Sequence, residues 1–92
     1  MFDVSISIED KKITTEFLVD SYFFEKDKYV YAFYLIKEGE KGKLQSRWYR
    51  SSMKAVFEAT DISGIFYTRC FVRDKEDKST RTFDSEKISI NV

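Results

Sequence analysis

Histidine and proline are both absent from this 92-residue chain, which contains one cysteine and three glycines. Without histidine the chain lacks the commonest general base and metal ligand, so no Ser–His or Cys–His nucleophile can form. With one cysteine no intrachain disulfide is available, and the fold must be held by packing alone. The glycines form no phosphate-binding loop. These absences predict a protein that is not an enzyme and has no catalytic residue, cofactor or metal site.

An excess of charge of one sign is also missing, since 16 Lys and Arg residues balance 16 Asp and Glu residues. A neutral chain gains no long-range attraction to DNA, RNA or anionic lipid, so we expect no nucleic-acid partner. The apolar run at residues 29–36 is too short to span a bilayer. No signal-peptide pattern, a basic segment followed by an apolar one, is visible after Met1. We therefore expect no membrane insertion, and a cytoplasmic or bacterial cell-surface location that depends on the parent protein.

Carboxylates are abundant but lie in predicted loops or beside lysines. In the loop at residues 74–78, Asp74, Glu76 and Asp77 are the candidates for a Ca²⁺ site. The spacing is not that of an EF-hand, and Lys75 and Lys78 would repel the ion. A solvated hairpin loop is the favoured interpretation.

Alternation of apolar and polar residues predicts strands along most of the chain. The predicted strands cover residues 2–8, 13–19, 29–37, 43–50, 51–60, 65–73 and a last region through 81–83 and 88–92 that a break at 84–85 would divide. Short strands with turn signals about every ten residues predict an all-β fold, an immunoglobulin- or fibronectin-III-like β-sandwich of about seven antiparallel strands. Residues 1–92 are expected to be a single domain, a module of a larger protein.

The segment at residues 51–60 fits two structures. Met53, Val56 and Phe57 have helical spacing, and Ser52 is a suitable N-cap. Phe57 also alternates with Ala55 and Ala59 as in a strand. We favour a strand because the neighbouring segments are strands.

Residues 29–74, about half of the chain, resemble the bacterial three-tyrosine (Y_Y_Y) module, a fibronectin type III-like sandwich. The matching residues are Tyr31-Ala32-Phe33-Tyr34-Leu35, Trp48, Val56-Phe57, Gly64-Ile65-Phe66 and Cys70-Phe71-Val72-Arg73-Asp74. Phe33 and Phe66 replace two tyrosines of the family pattern. The resemblance implies a non-catalytic accessory domain of a larger bacterial protein, such as a sensor or a protein of glycan metabolism.

The predicted strands at residues 29–37 and 65–73 define a candidate interaction face. The residues expected to point into the core are Tyr31, Phe33, Leu35, Phe66, Thr68, Cys70 and Val72. Cys70 is thus predicted to be a buried, inert thiol. In an immunoglobulin-like sandwich these strands are adjacent, so the opposite parity forms one outer face. The candidate interaction face comprises Tyr34, Ile36, Tyr49, Tyr67, Arg69, Phe71 and Arg73, and Arg47 is expected to extend it. If Tyr34 were buried inside the sandwich, the face would move to Tyr29, Tyr31 and Phe33.

A solvated sheet face should carry polar residues, and this one is rich in Tyr and Arg, which are favoured at interfaces. Four uses remain open. The face packs against a neighbouring domain of the same polypeptide; it forms a homodimer or binds a protein partner; it stacks sugar rings as a carbohydrate-binding platform; or the arginine stems cover the rings and nothing binds. The principal hypothesis is a protein-interaction module, and the alternative is a small carbohydrate-binding module attached to a glycan-metabolising enzyme.

Overall fold

The first sheet begins with a tight hairpin. In the computed structural model, which describes residues 2–91, strand β1 (Phe2–Glu9) pairs antiparallel with β2 (Lys12–Val19). Asp10 and Lys11 connect them with φ of 51° and 61°. Positive φ at both central residues is the type I′ turn that matches the twist of a hairpin. Strand β5 (Lys54–Glu58) pairs with the other edge of β2, so the order is β1-β2-β5.

The second sheet is larger and antiparallel. It contains β3 (Tyr29–Lys37), β4 (Gln45–Arg50), β6 (Gly64–Asp74), β7 (Thr80–Asp84) and β8 (Ile88–Ile90). The order is β4-β3-β6-β7, and β8 pairs with β6 beside β7. A 3₁₀ turn at Lys26–Lys28 precedes β3. No helix formed by the described residues is long and apolar enough to cross a membrane.

The core lies between the two sheets, because one parity of each strand is apolar. Its fully buried large side chains are Ile13, Tyr31, Phe33, Leu35, Phe57 and Phe66. One buried polar contact joins the sheets, where the Thr15 and Thr68 hydroxyl oxygens lie 2.7 Å apart. The all-β, two-sheet sandwich that the alternation predicted is therefore confirmed.

Two uncertain segments are resolved by pairing. Residues 54–58 form a strand, as favoured, because Ile13 pairs with Phe57 in the first sheet. The last strand region is divided, so residues 2–91 form eight strands rather than about seven. The cause is Ser85, whose Oγ accepts the Thr68 N–H at 2.9 Å and whose own N–H donates to the Thr68 carbonyl at 2.9 Å. The predicted extension to Val92 lies outside the described residues.

Candidate interaction face

The pairing of β3 with β6 places the predicted face residues side by side. Ile36 is opposite Tyr67, Tyr34 is opposite Arg69, and Ala32 is opposite Phe71. The Tyr34 and Phe71 rings are in edge-on contact, with centroids 4.6 Å apart and planes at 60°. All seven residues of the candidate interaction face are half-buried. They cover one another rather than standing free in solvent.

Cations lie on this aromatic surface. The Arg73 guanidinium is 3.9 Å from the centroid of the Tyr49 ring, and Lys43 Nζ is 5.0 Å from that of Tyr34. Both contacts are within the range of a cation–π attraction. The same contacts partly shield the Tyr49 and Tyr34 rings from solvent.

The charges of the face are not balanced. Arg69 forms a two-pronged contact with Asp84, with Nε and Nη2 at 2.8 and 3.1 Å from the carboxylate oxygens. The hydrogen bond to Asp84 raises the pKa of Arg69. Within residues 2–91, neither Arg73 nor Lys43 forms an ion pair. A chain with no net charge thus has uncompensated positive charge on this sheet face.

Strand β4 departs from simple alternation. Its pairing with β3 shifts register between Tyr31 and Phe33, which are opposite Arg50 and Arg47. The prediction that Arg47 extends the face is wrong, because Arg47 shares the inward parity of Phe33 and its guanidinium lies 4.8 Å from the buried Phe57 ring. Trp48 is 66% exposed, with its ring centroid 5.3 Å from that of Tyr49.

Tyr31, Phe33 and Cys70 belong to the core. Tyr34 is not inside the sandwich, so the alternative face at Tyr29, Tyr31 and Phe33 does not arise, and Tyr31 and Phe33 are buried. Burial raises the pKa of Tyr31 to about 12, and its hydroxyl donates to the Lys26 carbonyl at 2.9 Å. Burial also raises the pKa of Cys70 to about 12. The predicted buried thiol is confirmed, and at neutral pH it stays protonated and unreactive.

The acidic loop at residues 74–79 uses its carboxylates to close turns. Asp74 Oδ1 accepts the N–H groups of Glu76 and Asp77, at 2.8 and 3.3 Å. Asp77 Oδ1 accepts the N–H of Ser79 at 2.8 Å. Hydrogen bonding by the Ser79 side chain, and then by this N–H, lowers the pKa of Asp77. Among residues 2–91, no group of three or more potential ligands converges on a metal position.

Tyr22 and Phe23 were not singled out by sequence reasoning. They are 103% and 92% exposed in the loop between β2 and β3. The available signal was a run of three aromatic residues, 22–24, outside any alternating segment and next to a charged connection. Alternation does not report on such residues because they belong to no strand.

Comparison of this chain with known proteins found no match. No protein-family model matches the sequence, and neither a curated protein nor a solved structure matches it significantly.

Proposed function

We propose that this chain is a non-catalytic, fibronectin-III-like interaction module of a larger protein, which contacts a neighbouring domain or subunit through the candidate interaction face. The strand order supports the fold part of this proposal. The order β1-β2-β5 against β4-β3-β6-β7 corresponds to the A-B-E and C′-C-F-G sheets of fibronectin-III-like sandwiches. The bacterial setting rests on the resemblance of residues 29–74 to the three-tyrosine module.

The observation that carries the proposal is uncompensated charge on an aromatic sheet face. Arg73 and Lys43 lie on Tyr49 and Tyr34 without a carboxylate partner in residues 2–91. Desolvated Tyr and Arg side chains are the usual anchors of protein interfaces. The other possibility is that Arg73 and Lys43 only cover the rings of their own chain and bind no partner. A test of the proposal therefore has to compare the solvent accessibility of the face with and without the rest of the parent protein.

Solvent accessibility of the face in the parent protein tests the proposal. We expect hydroxyl-radical labelling of Tyr34 and Tyr67 to be several-fold lower in the full-length parent than in the isolated module. The variants Tyr67→Ser and Arg73→Glu should restore labelling of Tyr34 in the parent. Val56→Ser is the matched control, because Val56 is exposed on the other sheet. Equal labelling of the face in both contexts would reject the proposal.

A carbohydrate-binding module remains the alternative function, favoured by one observation. Trp48 is 66% exposed beside Tyr49 at the border of the face, and exposed aromatic rings suit stacking on sugars. Its ring is inclined at 81° to that of Tyr49, so a ligand would stack on one ring at a time. Quenching or a shift of Trp48 fluorescence on titration with glycans chosen from an array would support this function. Absence of any response across surface and capsular glycans would exclude it.

A further inference from the structure

The β2–β3 loop, at one tip of the sandwich, carries two aromatic side chains that are almost fully exposed to solvent. Tyr22 and Phe23 are 103% and 92% exposed. They are the least buried of the large hydrophobic side chains in residues 2–91. Full burial of side chains of this size is worth as much as a typical interface anchor. Their exposure therefore needs an explanation that the sandwich core does not provide.

A turn holds these two rings outward. The Phe24 N–H donates to the Ser21 carbonyl at 3.4 Å, and the Phe23 N–H donates to Ser21 Oγ at 3.2 Å. Tyr22 and Phe23 thus occupy the centre of a turn that begins at Ser21. Phe24 anchors the turn to the body, because it stacks on Tyr29 with centroids 5.2 Å apart and planes at 8°. These hydrogen bonds constrain the backbone of the apex before any contact, which lowers the entropic cost of binding.

An aromatic cleft opens beside this apex. Its volume is about 160 Å³. Its apolar walls are Phe2, Phe17, Phe24, Tyr29, Val72 and Phe83, and the polar residues Asp74, Ser79 and Arg81 complete the lining. A cavity of about 150 Å³ with apolar walls accommodates benzene, so this cleft has room for one phenyl ring. Phe24 lines the cleft, whereas its chain neighbour Phe23 does not. One end of the molecule therefore presents both an aromatic ring and an aromatic cleft of matching size.

The charges around the two features are complementary. The Arg81 guanidinium lies at the cleft, 5.7 Å from the centroid of Phe2 and 5.3 Å from that of Phe83. The exposed carboxylate of Glu25 follows the apex. Within residues 2–91, neither Arg81 nor Glu25 has an ion-pair partner. Asp74 also lines the cleft, but its carboxylate is paired with Lys28 Nζ at 4.0 Å, which leaves the Arg81 guanidinium as the unpaired charge there. An aromatic ring accompanied by a carboxylate is the chemistry that this cleft would accept, and the apex of a second copy supplies both.

We propose that two copies of this chain associate tip to tip, each inserting its Phe23 ring into the aromatic cleft of the other. Because apex and cleft lie at the same end, a twofold axis satisfies both at once and closes the assembly. The two inserted Phe23 rings would bury on the order of 300–500 Å², which is well below the area of a standard stable interface. The dimer is therefore weak, with dissociation in the micromolar to millimolar range. Its residues are separate from the candidate interaction face.

Sedimentation equilibrium of the full chain over micromolar to millimolar concentration tests this proposal. We expect the average mass to rise with concentration from the monomer value of 11.0 kDa toward twice that value. Phe23→Ser should weaken association by about 100-fold or more, because symmetry removes two buried rings at once. Trp48→Ser is the matched control, since Trp48 is an exposed ring elsewhere on the surface and its loss should leave the dimer unchanged.

Exchanging the charges of Glu25 and Arg81 tests whether the apex of one copy contacts the cleft of the other. Glu25→Arg and Arg81→Glu should each weaken the dimer, and the double variant should recover most of the loss because opposite charges again meet across the axis. A monomer at all concentrations overturns the proposal. So does a dimer that survives Phe23→Ser, or one that Tyr67→Ser abolishes, since the latter would use the sheet face. Saturable binding of 3-phenylpropionate to a chain that stays monomeric would assign the cleft to a small molecule instead.

Discussion

At the scale of single residues, the buried threonine pair is the most informative contact of the core. Thr15 Oγ1 donates to the Ser5 carbonyl at 2.8 Å and lies 2.7 Å from Thr68 Oγ1. A hydroxyl has one proton, so the proton between the two threonines belongs to Thr68. Thr68 thus depends on Thr15 for an acceptor, whereas Thr15 keeps its own acceptor without Thr68.

This asymmetry predicts unequal costs for isosteric substitutions. Thr15→Val leaves the Thr68 hydroxyl without an acceptor and should lower the free energy of unfolding by about 2–3 kcal/mol. Thr68→Val removes one hydrogen bond and should cost about 1 kcal/mol. The double variant should cost less than the sum of the two, because no buried hydroxyl remains unpaired. Urea denaturation of the four proteins measures the cycle. Equal single costs or strict additivity would contradict the assigned direction of the hydrogen bond.

At the scale of elements, the β1–β2 hairpin is closed by a turn that its sequence does not favour fully. Asp tolerates positive φ, but Lys11 at 61° has a Cβ in the strained left-handed region. Asp-Gly is the preferred sequence for this turn. The turn is therefore locally strained, and the pairing of β2 with β1 and β5 maintains that strain.

Lys11→Gly should relieve that strain. We expect the free energy of unfolding to rise by about 0.5–1 kcal/mol. Glycine removes the steric strain of a Cβ at φ of 61°, and this gain exceeds the conformational entropy that glycine loses on folding. The midpoint of thermal unfolding should rise by about 4 °C for a chain of this size. Lys12→Gly, one residue later inside β2, is the control and should be destabilising. A loss of stability in Lys11→Gly would mean that this lysine does not adopt the type I′ conformation.

At the scale of the whole molecule, strand pairing is dominated by segments distant in sequence. β2 pairs with β5 across β3 and β4, and β3 pairs with β6 across β4 and β5. Sandwiches of this kind fold in milliseconds to seconds, because loop closure precedes the contacts that stabilise the fold. The chain contains no proline, so the isomerisation that commonly adds a phase of tens of seconds has no site.

Refolding should therefore be single-exponential and complete within seconds. Stopped-flow circular dichroism measures it directly, whereas Trp48 is too exposed to report strongly on burial. Lys41→Pro provides the control, since Lys41 lies in the exposed β3–β4 loop. That variant should show a slow phase in roughly 10–30% of the molecules. A phase of tens of seconds in the unaltered chain would require a different slow step, such as self-association of a folding intermediate.

Some features of this protein were determined by the sequence alone. Alternation has a period of two residues and is local, so it identified the strands and placed Tyr31, Phe33 and Cys70 inside. The adjacency of β3 and β6 followed from the expected sandwich order. The prediction for Arg47 failed because the register of β4 shifts between Tyr31 and Phe33, and a bulge reverses the parity on which the prediction depended.

Other features were decided only by the tertiary structure. The division of the last strand at Ser85 depends on hydrogen bonds to Thr68, which is distant in sequence. Among residues 2–91, the lack of an ion-pair partner for Arg73 and Lys43 depends on what the other elements bring near them, and so does the exposure of Phe23. Local pattern determines which way a side chain points within its strand. Ion pairing and burial depend on contacts with elements that are distant in sequence. Only the assembled sheets therefore determine which charged groups and aromatic rings remain accessible to a partner.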